Sequence, residues 1–152
     1  MTRGLTIAAV LVCLLGSASL SAQDRGYWRA ASNNANQTTG DIVISDSKLT
    51  INFLSYSLAP IRKLSQTEAG AAFDADVNVA GGGNMYRLSI PGDKRFLHKN
   101  TLCGSEETQW MATYLEGKTL KVAFFSDAKP PVFTLEALQN STNLCGTFVY
   151  TR

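Results

Sequence analysis

Polar and apolar residues alternate with a period of two along much of this chain, and that alternation constrains its fold more than any other feature. Residues 48–53 alternate without a break, which predicts a strand with Leu49, Ile51 and Phe53 on its buried face. Residues 73–79 alternate in the same way. Further strands are predicted at 27–31, 41–45, 56–63, 86–90, 95–98, 108–115, 118–125, 132–135 and 147–151. About ten short strands at this spacing predict one all-β domain, a small antiparallel β-barrel of about eight to ten strands or alternatively a β-sandwich, with little helix.

Turn and cap residues separate the predicted strands. Glu116-Gly117 is expected to form a tight hairpin turn, because glycine tolerates the positive φ that such turns need. Residues 81–84 predict a second hairpin turn. Residues 65–68 match a helix capping box, but strand alternation begins at Phe73 and limits the predicted helix to one turn. Residues 33–40 are predicted to be a polar loop.

The first 22 residues are predicted to be a signal peptide. Arg3 supplies the positive start, residues 5–15 form an uncharged apolar run, and small residues follow at the expected cleavage site. The run is shorter than a membrane span, so a cleaved signal is favoured over an uncleaved anchor. Cys13 lies within the run and is expected to leave with it. The mature chain is therefore predicted to be one domain, 23–152, secreted or periplasmic and without a stable membrane anchor.

Two cysteines remain after this cleavage, Cys103 and Cys145. In an oxidising compartment an even pair is most simply one disulfide. Chain-entropy models give such a loop roughly 4 kcal/mol of stabilisation. A reactive thiol is the alternative interpretation, and the availability of a partner cysteine disfavours it.

The charge balance excludes some partners. Removal of Arg3 with the signal peptide leaves 13 of the 14 Lys and Arg residues against 12 Asp and Glu residues. A net charge near +1 gives no reason to expect nucleic acid or an anionic membrane as the main partner. The chain has one histidine, so a site built from several histidines is impossible.

A cluster of acidic and amide side chains is a candidate metal site. Asp74, Asp76 and Asn78 are spaced two residues apart and would share one face of the predicted strand, where their oxygens could bind Ca²⁺. An EF-hand loop is excluded, because Val79 and Met85 stand where that loop needs Gly and Glu. The solvated face of an amphipathic strand is the favoured interpretation, and no metal or other cofactor is predicted.

A cluster of basic residues is a candidate binding surface. It contains Lys94, Arg95, His98 and Lys99. Such a cluster could contact an acidic partner or a phosphate, but a strand edge guarded by lysine is the favoured interpretation. No Cys or Ser motif accompanies His98 for nucleophilic catalysis. The chain is therefore predicted not to be an enzyme, and a cleft uniting His98 with the acidic cluster would reverse that prediction.

The tripeptide Gly26-Tyr27-Trp28 at the first predicted strand resembles the start of lipocalins, avidins and related calycin barrels. In those families the tryptophan closes one end of the barrel, and a basic residue near the last strand packs across it. The resemblance implies this role for Trp28, with Arg152 as the basic residue in a cation–π contact.

The segment Gly82-Gly83-Asn84-Met85-Tyr86 resembles the Ser-Gly-x-x-Tyr loop of bacterial lysozyme-inhibitor barrels, with Gly82 in place of the serine. The resemblance implies a partner-binding loop formed by Gly81, Gly82, Gly83, Asn84 and Tyr86.

Together these features predict an exported, non-enzymatic binding module. Its ligand is expected to be either a small apolar molecule inside a barrel or a secreted protein on the loops. The alternative is an inhibitor of a secreted hydrolase, of the lysozyme- or protease-inhibitor type, that inserts the loop 81–84. A hollow barrel would favour the small ligand, and a filled barrel with a protruding loop would favour the inhibitor.

Overall fold

The computed structural model describes residues 23–152 and contains a closed barrel of eight antiparallel strands. The predicted signal peptide, residues 1–22 with Cys13, lies outside the described residues. The strands are β1 (Gly26–Ala30), β2 (Ile42–Ile44), β3 (Lys48–Ile51), β4 (Leu54–Leu64), β5 (Gly82–Ile90), β6 (Thr108–Glu116), β7 (Thr119–Phe125) and β8 (Leu144–Thr151). Each pairs with the next, and β8 pairs with β1 through Arg29–Thr151 and Ala30–Tyr150. The prediction of a small antiparallel barrel is confirmed, and the sandwich alternative is wrong.

Three helices and a 3₁₀ turn interrupt the described strands. The helices are α1 (Asn33–Thr38), α2 (Gln66–Phe73) and α3 (Leu135–Gln139), and the 3₁₀ turn covers Leu97–Lys99. Within residues 23–152, no helix has the length and apolar character needed to cross a membrane.

The up-and-down strand order divides the connections between two ends of the barrel. One end, here called the loop end, carries residues 31–41, 52–53, 91–107 and 126–143. The opposite end, the closed end, carries residues 23–25, 45–47, 65–81 and 117–118 together with Arg152. The long connections are therefore gathered at the loop end, apart from the segment that contains α2.

Large side chains fill the interior of the barrel. They come from every strand and form one continuous cluster, in which no member of the following set is more than 1% exposed: Trp28, Ile42, Leu49, Ile51, Tyr86, Ile90, Met111, Leu120, Phe124 and Tyr150. Phe96 and Leu102, from the connection 91–107, join the same cluster. The interior is thus occupied by the protein's own side chains, as in other small barrels.

A second apolar layer covers the outside of β5, β6 and β7. Its members include Phe73 from α2 and Phe133 from the connection before α3, packed on Trp110, Tyr114 and Phe125. The rings of Phe73 and Tyr114 stack with centroids 6.2 Å apart. Strand residues here are buried on both faces, so period-two alternation is lost in β6 and β7.

The helix α2 includes the first residue of the predicted strand 73–79, and the rest of that segment is irregular. The capping box is present, with Ser65 accepting from the Glu68 amide and Glu68 accepting from the Ser65 amide. Arg62 donates two 2.8 Å hydrogen bonds to the Glu68 carboxylate, and this contact lowers the pKa of Glu68 to about 2. The helix continues to Phe73 and ends at Asp74, which has a left-handed φ of 52°. The predicted strand 73–79 is therefore wrong, because burial of Phe73 outweighed the local alternation.

Three other local predictions are corrected in the same way. Residues 95–98 form no strand, because His98 and Lys99 have left-handed φ values of 52° and 62°. Residues 132–135 are irregular up to the start of α3. The predicted polar loop 33–40 contains α1, which Ser32 caps by accepting from the Ala35 amide.

Two tight turns determine what the hairpins expose. The β6–β7 turn is Gly117-Lys118, one residue later than predicted, with Gly117 at φ 60°. The β3–β4 turn is Asn52-Phe53, with φ values of 48° and 67°. Positive φ at both central residues is the mark of a type I′ turn. Phe53 is 98% exposed, so the prediction that it lies on a buried strand face is wrong.

The predicted disulfide is confirmed, and it ties the loop end together. Cys103 and Cys145 are bonded with their Cα atoms 4.9 Å apart. Because Cys145 is the second residue of β8, the bond fixes the connection 91–107 to the wall of the barrel.

Candidate functional site

Trp28 and Arg152 meet at the closed end. Trp28 is fully buried, and the Arg152 guanidinium carbon lies 4.3 Å from the centroid of its ring. The same guanidinium donates to the backbone oxygens of Arg25 at 3.0 Å and Gln23 at 3.3 Å. Arg152 is therefore joined to residues 23–28 by a cation–π contact and two hydrogen bonds.

A buried carboxylate lies beside this pair. Asp24 is fully buried, and its Oδ2 accepts hydrogen bonds from Asn84 at 2.9 Å, from Tyr86 at 2.8 Å and from Thr113. The backbone oxygen of Asp24 accepts from the Trp28 indole at 2.8 Å. Burial and the nearby carboxylate raise the pKa of Tyr86, which stays a neutral donor. No sequence pattern indicates this cluster, because Asp24 lies in a short segment without periodicity.

The glycine segment proposed as a partner-binding loop is part of the barrel wall. Gly82 begins β5, and Gly83, Asn84 and Tyr86 are buried. A Cβ atom at Gly81 would overlap the Tyr114 hydroxyl group, so glycine is needed there for close packing. The predicted hairpin turn at 81–84 is therefore wrong, because residues 82–84 pair with the neighbouring strands β4 and β6.

The two charged clusters do not form a joint cleft. Asp76 accepts hydrogen bonds from the backbone and side-chain nitrogens of Asn78, in the connection after α2 at the closed end. His98 and its basic neighbours belong to the connection 91–107 at the loop end. Within residues 23–152 there is no group of three or more His, Cys, Asp or Glu side chains arranged to hold a metal ion.

The loop end presents the most exposed large apolar side chain of the described residues. Phe53 stands at the apex of the β3–β4 hairpin, and we call Asn52-Phe53 the tip. Left-handed backbone costs a non-glycine residue about 1–2 kcal/mol. A bulky aromatic residue in that conformation, with its ring in water, does not contribute to packing.

A groove of about 340 Å³ lies beside the tip, on the outer face of the barrel. It is lined by the tip, by outward side chains of β1 to β3 and by the loops next to them: Tyr27, Thr39, Gly40, Asp41, Val43, Thr50 and Leu97. Tyr27 and Val43 are paired across β1 and β2, and Val43 and Thr50 across β2 and β3. The groove therefore has a rigid floor.

The polar edge of the groove is internally satisfied. The Tyr27 hydroxyl donates to Asp41, which also accepts from the Ala30 amide at 2.9 Å. These two hydrogen bonds lower the pKa of Asp41. The hydrogen bond between the two side chains also raises the pKa of Tyr27. At neutral pH the pair is a neutral phenol beside a carboxylate.

Comparison of the chain with protein-family models, with curated proteins and with solved structures found no match. Fold and site define a small closed eight-stranded antiparallel β-barrel with a filled interior and an aromatic tip at its loop end.

Proposed function

We propose that this protein is an exported, non-enzymatic binding module of calycin-like architecture whose partner is a protein contacted by the loop end. The contact of Trp28 with Arg152 in a closed barrel supports the calycin-like assignment. The Cys103–Cys145 disulfide supports an oxidising compartment, secreted or periplasmic. The filled interior supports binding at the outer surface over binding of a small apolar ligand inside.

The observation that carries the proposal is the exposure of Phe53. The residue keeps an unfavourable backbone conformation while 98% of its surface is in contact with solvent. Aromatic side chains are the groups that most often dominate protein–protein binding energy, through insertion into a pocket of the partner. A stability cost held at a solvent-exposed position is typical of functional residues.

The shape of the tip also favours the narrower function of an inhibitor of a secreted hydrolase. A convex two-residue turn with an aromatic apex can enter a cleft, whereas Gly82, Gly83 and Asn84 are held within β5. Inhibitory contact would then be made at the loop end.

Phe53→Gly is expected to separate stability from binding. Glycine relieves the left-handed strain of about 1–2 kcal/mol. It also makes the unfolded chain more flexible, which raises the entropic cost of folding by about 0.5–1 kcal/mol. We therefore expect the free energy of unfolding to rise by about 0.5–1 kcal/mol in chemical denaturation. Wild type and variant would each be immobilised at low density and exposed to secreted proteins of the source organism. The variant should capture at least tenfold less of the partner than the wild type does.

Ile61→Ser is the matched control, because Ile61 is a half-exposed apolar residue on β4 outside the groove. It should capture the same partner as the wild type. Equal capture by wild type and Phe53→Gly would refute the assignment of the tip, and a Phe53→Gly variant that is less stable than wild type would remove the argument from strain.

A further inference from the structure

The tip and the groove are a convex and a concave feature on one face of the barrel. The groove volume of about 340 Å³ is enough for one aromatic ring, and Phe53 itself forms one edge of it. Phe53 is the knob and the groove is the hole. If a two-fold axis passes between them, the knob of each copy lies in the hole of the other copy. This self-complementarity is the defining requirement of an isologous dimer interface.

We propose that two copies of this chain pair reversibly through this face, with Phe53 of each copy seated in the groove of the other. The apolar part of the groove is formed by Tyr27, Val43 and Leu97. The Tyr27 hydroxyl is already paired with Asp41, so covering the groove leaves that hydrogen bond intact. Pairing would shield the aromatic ring whose exposure carries the proposed function, and would regulate that same site by occupying it.

The charges of the chain permit this approach. The mature part carries 13 basic and 12 acidic side chains, so two copies do not repel each other strongly. Arg29 is an exposed residue of β1, and Asp41 lines the groove. Both signs are therefore present on the face, and a two-fold axis can bring opposite charges together.

The pairing is expected to be weak. An aromatic side chain buries about 150–250 Å², and two such contacts with their surroundings fall in the class of transient interfaces below about 1,200 Å². The protein should be monomeric at about 1 μM and partly dimeric at about 1 mM. Self-pairing needs the groove as well as the tip. Partner capture is measured at nanomolar concentration, where the protein is a monomer. The proposed self-pairing and the proposed partner binding can therefore fail independently of each other.

Sedimentation equilibrium of the mature chain between these two concentrations is the test. Wild type and the control Ile61→Ser should associate to the same extent. Phe53→Gly removes the knob and Val43→Lys places a charge in the groove, so each alone should remain monomeric up to about 1 mM. Val43 is an outward residue of β2, 38% exposed, and this change is expected to leave the fold intact.

A mixture of the two variants distinguishes knob-in-groove pairing from stacking of the two Phe53 rings. The Val43→Lys copy keeps the knob, and the Phe53→Gly copy keeps the groove lining of Tyr27, Val43 and Leu97 while losing the edge formed by its own Phe53. The mixture should therefore associate more than either variant alone. A wild type that stays monomeric at about 1 mM, or a Phe53→Gly variant that associates like the wild type, would overturn the proposal.

Discussion

Asp24→Ala is expected to lower the free energy of unfolding by about 3–5 kcal/mol. The substitution leaves three buried donors, on Asn84, Tyr86 and Thr113, without their acceptor. A buried donor left without a partner costs about 1–3 kcal/mol, and partial relaxation keeps the total below the simple sum. Denaturant unfolding at neutral pH, followed by tryptophan fluorescence, measures the change.

Two variants control for the identity of the charge. Asp24→Asn retains one acceptor oxygen and the shape of the side chain, so its loss should be smaller than that of the alanine variant. Asp46→Ala removes a different aspartate, one that pairs with Arg25 on the surface and whose side chain is 68% exposed. Surface ion pairs contribute about 0–1 kcal/mol. An Asp24→Ala loss as small as that of Asp46→Ala would mean that the carboxylate does not organise the closed end.

Trp28→Ala is the second large effect, with an expected loss of about 3–5 kcal/mol from truncation of a fully buried aromatic. Arg152→Ala should cost about 1–2 kcal/mol, because it removes the cation–π contact and two hydrogen bonds to the backbone. The two side chains touch, so the double variant should depart from additivity by at least about 0.5 kcal/mol.

A second stacked pair supplies the control cycle. The Arg87 guanidinium carbon lies 4.7 Å from the ring centroid of Trp110, in the outer apolar layer. Trp28→Ala combined with Arg87→Ala should therefore be additive. A Trp28–Arg152 coupling indistinguishable from zero would indicate that Arg152 is a frayed chain end and would remove the main support for the calycin-like assignment.

Most strands were predictable from the sequence, including β6 and β7, which the predicted strands 108–115 and 118–125 match to within one residue although both faces of these strands are buried. Alternation placed β3, β4 and β5 correctly to within a few residues, and the Gly117 turn to within one. It failed at residues 73–79, because Phe73 is buried by a distant strand, and contact with Tyr114 is invisible to a local pattern. It also failed at Phe53, where an aromatic residue continued the alternation although the chain turns at Asn52.

The candidate sites were predictable only where the residue type itself signals a contact. Two cysteines predicted a disulfide, and the resemblance implied a contact between Trp28 and Arg152. The buried role of Asp24 needed the register of β5 and β6, which brings Asn84 and Thr113 side by side. The groove needed four separate chain segments to meet, and no spacing in the sequence encodes that meeting.

If the filled barrel binds its partner only at the outer surface, as we propose, titration with small apolar molecules should find no interior site. Benzene and an anionic naphthalene dye would be added to isotope-labelled mature protein while interior resonances are followed by NMR. Leu120→Ala serves as the positive control, because truncation of this fully buried residue opens an apolar cavity that can take benzene. We expect saturable shifts of interior resonances for Leu120→Ala and none for the wild type. Saturable binding of a small apolar molecule among Tyr86, Met111 and Phe124 of the wild type would contradict this proposal.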